Sequence, residues 1–261
     1  MGIIITSKQP WRRQPQGQVE LNTTNPLAEW VIHLASFGSN PSDVVKNKPL
    51  VAGYGSPYMG VYKDKHASIH NSDVGWKFNT SVKTSQNMTL WSYGNSPYTY
   101  GGGGFGIMLC NAVQNSYMGV YNNKLIGKVN IDNIFGSTII PIHQDLTITL
   151  THKNGNAQEL YLNNNLEGTG SESASITSAD YYVGLHNSGT LGWRGGIYLS
   201  AIFNKALNQD EIKSLNNNPW QLLRKRKVIT YFDSGISLPP DLTSISMSNI
   251  ITDGARATFH I

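Results

Sequence analysis

Catalysis by this chain would have to draw on its carboxylates or its seven histidines, and neither set is spaced for it. Retaining glycoside hydrolysis needs two carboxyl groups about 5 to 5.5 Å apart, which a single strand face supplies through an E-x-D-x-x-E run. No such run occurs: Glu20, Glu29, Glu159, Glu167, Glu172 and Glu211 are scattered, and Asp210 adjoins Glu211 where a helix start accounts for both. His66 and His70 are four residues apart with no cysteine or third ligand near, so a surface placement is expected rather than a metal site. A serine nucleophile lacks its G-x-S-x-G elbow. The glycines at 101–104 are followed by neither a lysine nor a helix start, so they form no phosphate cradle. Calcium takes roughly six to eight oxygens from flexible loops; Asp73, Asp132 and Asn133 are of the right type, yet oxygen-rich loops recur along the whole chain. No enzymatic activity and no cofactor are therefore expected.

Aromatic side chains offer a different chemistry, because their faces stack on the apolar faces of sugar rings. Tyr98 and Tyr100 precede the four glycines and are expected on a mobile loop tip, with Trp193 as a further stacking candidate. The pentapeptide Tyr-Met-Gly-Val-Tyr occurs twice, ending in Tyr58 and Tyr62 in one copy and in Tyr117 and Tyr121 in the other. On a strand the two tyrosines of each copy share a face. Two such strands side by side would present four rings on one surface. The plainer reading makes tyrosine sheet filler, since aromatic residues are favoured in strands anyway.

Strands must carry these side chains. Positions 31–37, 67–70, 88–93, 105–109, 146–150, 159–162, 181–185 and 197–203 read as short strand-like runs, separated by clusters of Gly, Asn, Ser and Pro. Residues 160–166 read as a hairpin, because asparagine tolerates positive φ and apolar arms flank the turn. After 203 the period changes: Leu207, Ile212 and Leu215 are helically spaced, Asn208 caps with Glu211 three residues on, Pro219 stops the helix and Trp220 follows.

Composition agrees with many short strands and tight turns: 26 glycines, and only 14% charged residues. At 261 residues one main domain is expected, since two-sheet all-β units reach about 200 to 250 residues. Cys110 is the only cysteine and lies in an apolar run, so it is expected buried, with no intrachain disulfide. The net charge of +4 owes much to Arg224, Lys225, Arg226 and Lys227, a local run without a recognition helix, so nucleic acid is not an expected partner. No apolar segment approaches 18 residues, so no membrane span is expected, and 3–5 is too short for a signal-peptide core. Gly2 and Thr6 fit a myristoylation pattern that arises often by chance. Past the stiff Leu238-Pro239-Pro240, residues 245–251 and 255–261 read as strands about an Asp253-Gly254 turn. An isolated hairpin is barely stable in water, so this one is expected to dock by edge pairing.

Residues 194–222, a strand running into a capped helix and then Asn218-Pro219-Trp220, resemble the closing segment of laminin-G-like, concanavalin-A-like jelly-roll domains. The likeness is strongest to those in tailed-bacteriophage and prophage structural proteins, and Gln-Pro-Gln-Gly at 14–17 with Asn-Pro-Leu-Ala at 25–28 resembles the opening of phage members. The resemblance implies an all-β antiparallel sandwich with one short helix near the end of the domain, spanning 27–237, between an extended arm at 1–26 and a linker with a hairpin for assembly at 238–261. It also implies a structural virion protein, as a capsid decoration, head fibre or tail-associated component, carrying a lectin-like domain. Its expected partners are other virion proteins, further copies of itself and host-surface glycans, and its expected location is the virion. A carbohydrate-binding adhesin is the alternative, and a polysaccharide-degrading enzyme stands last. In the family, residues 160–166 correspond to a hairpin in which Asn164 stands where glycine is more usual, and the tryptophan of N-P-W, here Trp220, anchors the helix exit. Trp193 is assigned to packing as well as to the stacking set.

Overall fold

A computed structural model describes residues 14–226 except 16, 39, 63, 72–73, 82–86, 97, 101–103, 112–115, 130–132, 154–156, 172–178, 187 and 189–190, together with 250–251 and 256–257. The chain divides into two compact units, Met1–Lys225 and Arg226–Ile261. In the second, β20 (Ile250–Ile251) pairs antiparallel with β21 (Arg256–Ala257). The turn expected between them at Asp253-Gly254, the Gly2 and Thr6 pattern, and the loop residues Asp73 and Asp132 lie outside the described residues.

The first unit is an all-β antiparallel sandwich with one short helix near its end, the architecture that the resemblance implies. Among the described residues one sheet has seven strands: β5 (Val51–Tyr54), β8 (Gly75–Lys77), β10 (Phe105–Asn111), β11 (Ser116–Tyr121), β12 (Lys124–Val129), β13 (Asn133–Ile139) and β17 (Tyr181–Val183). Their order in space is β13-β12-β11-β10-β17-β8-β5. The other sheet has ten: β2 (Val31–Phe37), β3 (Pro41–Asp43), β4 (Lys48–Pro49), β6 (Tyr58–Tyr62), β7 (Lys65–Asn71), β9 (Met88–Asn95), β14 (Asp145–His152), β15 (Ala157–Leu162), β16 (Asn165–Ser171) and β18 (Arg194–Phe203).

Period-2 alternation turns one face of each sheet inward. Met118, Val120 and Leu125 from the seven-stranded sheet meet Leu90, Leu146, Ile148, Leu150 and Leu160 from the other. The layers approach so closely at Gly127 that a Cβ there would stand 3.1 Å from side-chain carbons of both Leu150 and Leu160. One margin is closed by a carboxylate: Glu167 on β16 accepts from the backbone N–H of Ser137 (3.2 Å) and Thr138 (2.9 Å) on β13, so two edge strands are tied without a ladder.

The outer face of the ten-stranded sheet is covered by α1 (Gln209–Asn217). Its start is the capping box that the sequence announces: Asn208 Oδ1 accepts from the N–H of Glu211, and Glu211 Oε2 accepts from the N–H of Asn208, each at 2.9 Å. Leu207, Ile212, Leu215 and Trp220 pack in one cluster with Trp91, Tyr198, Ala201 and Phe203. Asn216 fastens the helix to the β15–β16 turn, donating to the Asn163 carbonyl and to Asn164 Oδ1 (3.2 Å) while accepting from the Trp91 indole (3.0 Å). Asn163 takes the positive φ, 55°, at this turn. Part of the segment expected as an arm is drawn in: β1 (Val19–Leu21) pairs with β19 (Leu223–Lys225), and Val19 and Leu21 pack against the helix-side cluster.

Candidate functional site

Tyr98 and Tyr100 part company in the structure. Tyr98 is 54% exposed, but Tyr100 is only 2% exposed and belongs to the core between the sheets. Its ring lies 5.7 Å from that of Trp193, also fully buried, and its hydroxyl accepts from the N–H of Arg194 at 2.6 Å. The Trp193 indole in turn donates to the Asn95 carbonyl at 3.1 Å. Burial pushes the Tyr100 phenol up to about 12. Gly106 makes room for that ring, since a Cβ there would stand 2.3 Å from Tyr100 Cε1. Tyr100 is thus corrected from a surface stacker to half of an internal pair, and Trp193 takes the packing role rather than the stacking one; flanking glycines conceal this, because close packing wants glycine as much as a mobile tip does.

The two Tyr-Met-Gly-Val-Tyr copies lie in different sheets, so a four-tyrosine surface does not form. One copy is β6, which pairs with β7 and displays Tyr58 at 51% exposure. The other runs along β11. Each central glycine serves the partner strand: a Cβ on Gly60 would stand 2.9 Å from Ile69 Cγ1, and one on Gly119 would stand 2.2 Å from the Gly106 carbonyl oxygen.

The copy on β11 does contribute to a surface. Register places Phe105 opposite Tyr121 and Tyr121 opposite Lys124 in one row across the outer face of the seven-stranded sheet. Gly119, Ile126 and Phe135 form a second row, and Cys110, Tyr117, Lys128 and Asn133 a third, extended on the far side by Tyr182. Phe105 and Tyr121 stack with ring centroids 4.3 Å apart, Tyr121 and Phe135 stand 6.2 Å apart, and Phe135 is 52% exposed. Beside them the Tyr117 hydroxyl donates to Asn133 Oδ1 at 2.5 Å, the His186 ring meets Tyr117 edge-on at 6.3 Å, and Lys128 Nζ lies 5.9 Å from the Tyr117 ring centre. Cys110 is fully buried in this cluster with Ile107 and Ile126, as its apolar run suggests. Of the two tyrosines the sequence pointed to, Tyr121 lies on this surface, whereas Tyr117, only 8% exposed, is buried in the cluster beneath it; Phe105 and Phe135 were missed, because only strand pairing brings them alongside.

Two other polar constellations are structural. His33 Nδ1 lies 2.5 Å from Asp43 Oδ2, an arrangement familiar from catalytic dyads, but both side chains are 1% exposed and Asp43 Oδ1 also accepts from the N–H groups of Leu34 and Val45. A cleft of about 290 Å³ lies among Tyr93, Asp145, Thr147, Asn163, Asn217 and Trp220. Its carboxylate is already engaged by Lys65 (2.7 Å), Tyr93 and Tyr198 (3.1 Å each) and Asn95 (3.4 Å). Burial pushes the Asp145 carboxyl up, yet Lys65 and the two hydroxyls outweigh this and hold it below the usual range. Trp220, 3% exposed, forms a T-shaped contact with Tyr93 at 5.7 Å. Among the described residues no three His, Cys, Asp or Glu side chains cluster as metal ligands. His70, expected at the surface, is buried against the backbone of Gly184.

No family model and no curated protein matches the sequence. Solved structures do match in fold. The chain superposes on domain 4 of AbnA, an extracellular arabinanase of Geobacillus stearothermophilus determined in complex with arabinotriose, with a TM-score of 0.59 and 15% identity, over 72% of this chain and 98% of that one. The binding domain of botulinum neurotoxin DC matches in its complex with SialylT at a TM-score of 0.56 and 13% identity, over 73% of this chain and 51% of that one. The same toxin domain bound to rat synaptotagmin II matches at 0.54 and 12%, over 73% and 52%. The chain thus spans about half the length of the toxin structures. At these identities the likeness establishes the fold alone.

Proposed function

We propose that the sandwich is a non-catalytic, lectin-like domain that binds glycans on the outer face of its seven-stranded sheet, within a structural protein of a tailed-bacteriophage particle. One observation carries the binding half: Phe105, Tyr121 and Phe135 form a contiguous, partly exposed cluster of rings across two adjacent rows of paired strands. Rings held on a sheet lose little conformational freedom when a sugar stacks on them, and Asn133, Lys128 and His186 supply polar groups beside Tyr117 on the same face. That arabinotriose and SialylT are the partners of two domains of this fold supports the reading. The particle half rests on the sequence resemblance of residues 194–222 and 14–28, and on the hairpin of the second unit.

A glycan array probed with the purified chain tests the binding half. Specific binding is expected, reduced about tenfold or more by Tyr121→Ala and by Phe135→Ala, a loss of about 1.4 kcal/mol each. Tyr58→Ala, on the other sheet, is expected to leave it intact. An array without binders, or binding indifferent to both ring substitutions, refutes the assignment.

A further inference from the structure

Among the described residues the charge on the ring-bearing face is one-sided. Register puts Lys124 beside Tyr121, and Lys128 beside Tyr117 and Asn133. Lys77, farther across the sheet, is neutralised by Asp180 at 3.1 Å. Neither Lys124 nor Lys128 has a carboxylate within ion-pair distance among the described residues. Two acids among the described residues are committed elsewhere: Glu167 to the backbone of Ser137 and Thr138, and Asp180 to Lys77 and Ser81. Burial and the charge of Lys128 together hold the His186 imidazole below its usual range, so it stands beside the site as a neutral group.

An ammonium over a tyrosine ring and next to an amide is an incomplete arrangement. Asn133 Oδ1 is taken by the Tyr117 hydroxyl, which leaves its amide N–H groups to donate, as those of Lys128 do. Two adjacent donors, one charged, match a carboxylate better than a neutral hydroxyl. We infer that the glycan of this face is acidic, a saccharide bearing a carboxylate, with a sugar ring laid on Tyr121 and Phe135 and the carboxylate held by Lys128 and Asn133. Lys124, more exposed and at the end of the ring row, adds attraction at longer range.

The inference rests on the glycan reading above, and calorimetric titration of the full chain separates the two. The probes are 3′-sialyllactose against lactose, and trigalacturonate against its methyl ester. The acidic member of each pair is expected to bind at least about tenfold more tightly, with a margin that shrinks as salt rises. Lys128→Gln is expected to abolish the margin with the melting temperature unchanged, and Lys128→Arg to restore it. Equal affinity for the acidic and neutral members overturns the acidic inference but leaves glycan binding intact. Failure of all four probes defeats both.

Discussion

His70 has no room for a charge. It is fully buried, its Nδ1 lies 3.0 Å from the Val74 carbonyl and so carries the proton, and Nε2 has no hydrogen-bond partner among the described residues. Gly184, at φ +79°, lies so close that a Cβ would stand 2.1 Å from the ring, so no side chain is tolerated there. Burial lowers the imidazole from 6.5 to about 4. Between those values the unfolded chain binds a proton that the folded one refuses, so stability falls as pH drops through this window, by about 3 kcal/mol in all. Denaturant melts at pH 7 and pH 4.5 should show the loss, and His70→Gln should flatten that dependence; a wild-type profile already flat across the range would contradict the placement. Sequence spacing misled for this residue, because two histidines four apart on a strand reveal nothing of what the neighbouring loop lays against them. Tyr100 misled in the same way: its neighbour Gly106 is distant from it in purpose, not in sequence.

Elements whose determinants are local were legible, and those set by pairing were not. Helix α1 was readable to its cap because Asn208, Glu211, the apolar spacing and Pro219 all lie within one short stretch. The face shared by Tyr117 and Tyr121 follows from period 2 alone, but the sheet that holds it follows from register with β10 and β12, which spacing along the chain does not encode. The helix exit makes the sharpest prediction at this scale. Trp220 sits in the cluster that seals the ten-stranded sheet, with its indole against Tyr93. Trp220→Ala should cost about 3 to 5 kcal/mol in urea melts; a cost below about 1 kcal/mol would show that the helix holds without it.

As a whole the sandwich presents two different outer faces, one sealed by a helix and one left with rings and lysines, and that asymmetry was only half visible beforehand. The resemblance gave the layers and the closing helix, whereas the ring row emerged only from the fold. If the chain serves a particle through its terminal hairpin, deleting 241–261 should lower the mass measured by light scattering and reduce incorporation into particles; unchanged values for both would remove the hairpin from assembly. The pairing of β1 with β19 has a mechanical corollary. Outside the sandwich the chain is fastened by Gln14, whose side-chain amide bridges the His66 backbone, and by the three-rung ladder from Val19 to its partner Lys225, so tension between the two flanking segments would part that clasp and open the ladder rung by rung, like a zip, before the paired layers themselves gave way. A tethered domain of this design would yield first at its own doorway and keep its ring-bearing face in shape while it did so.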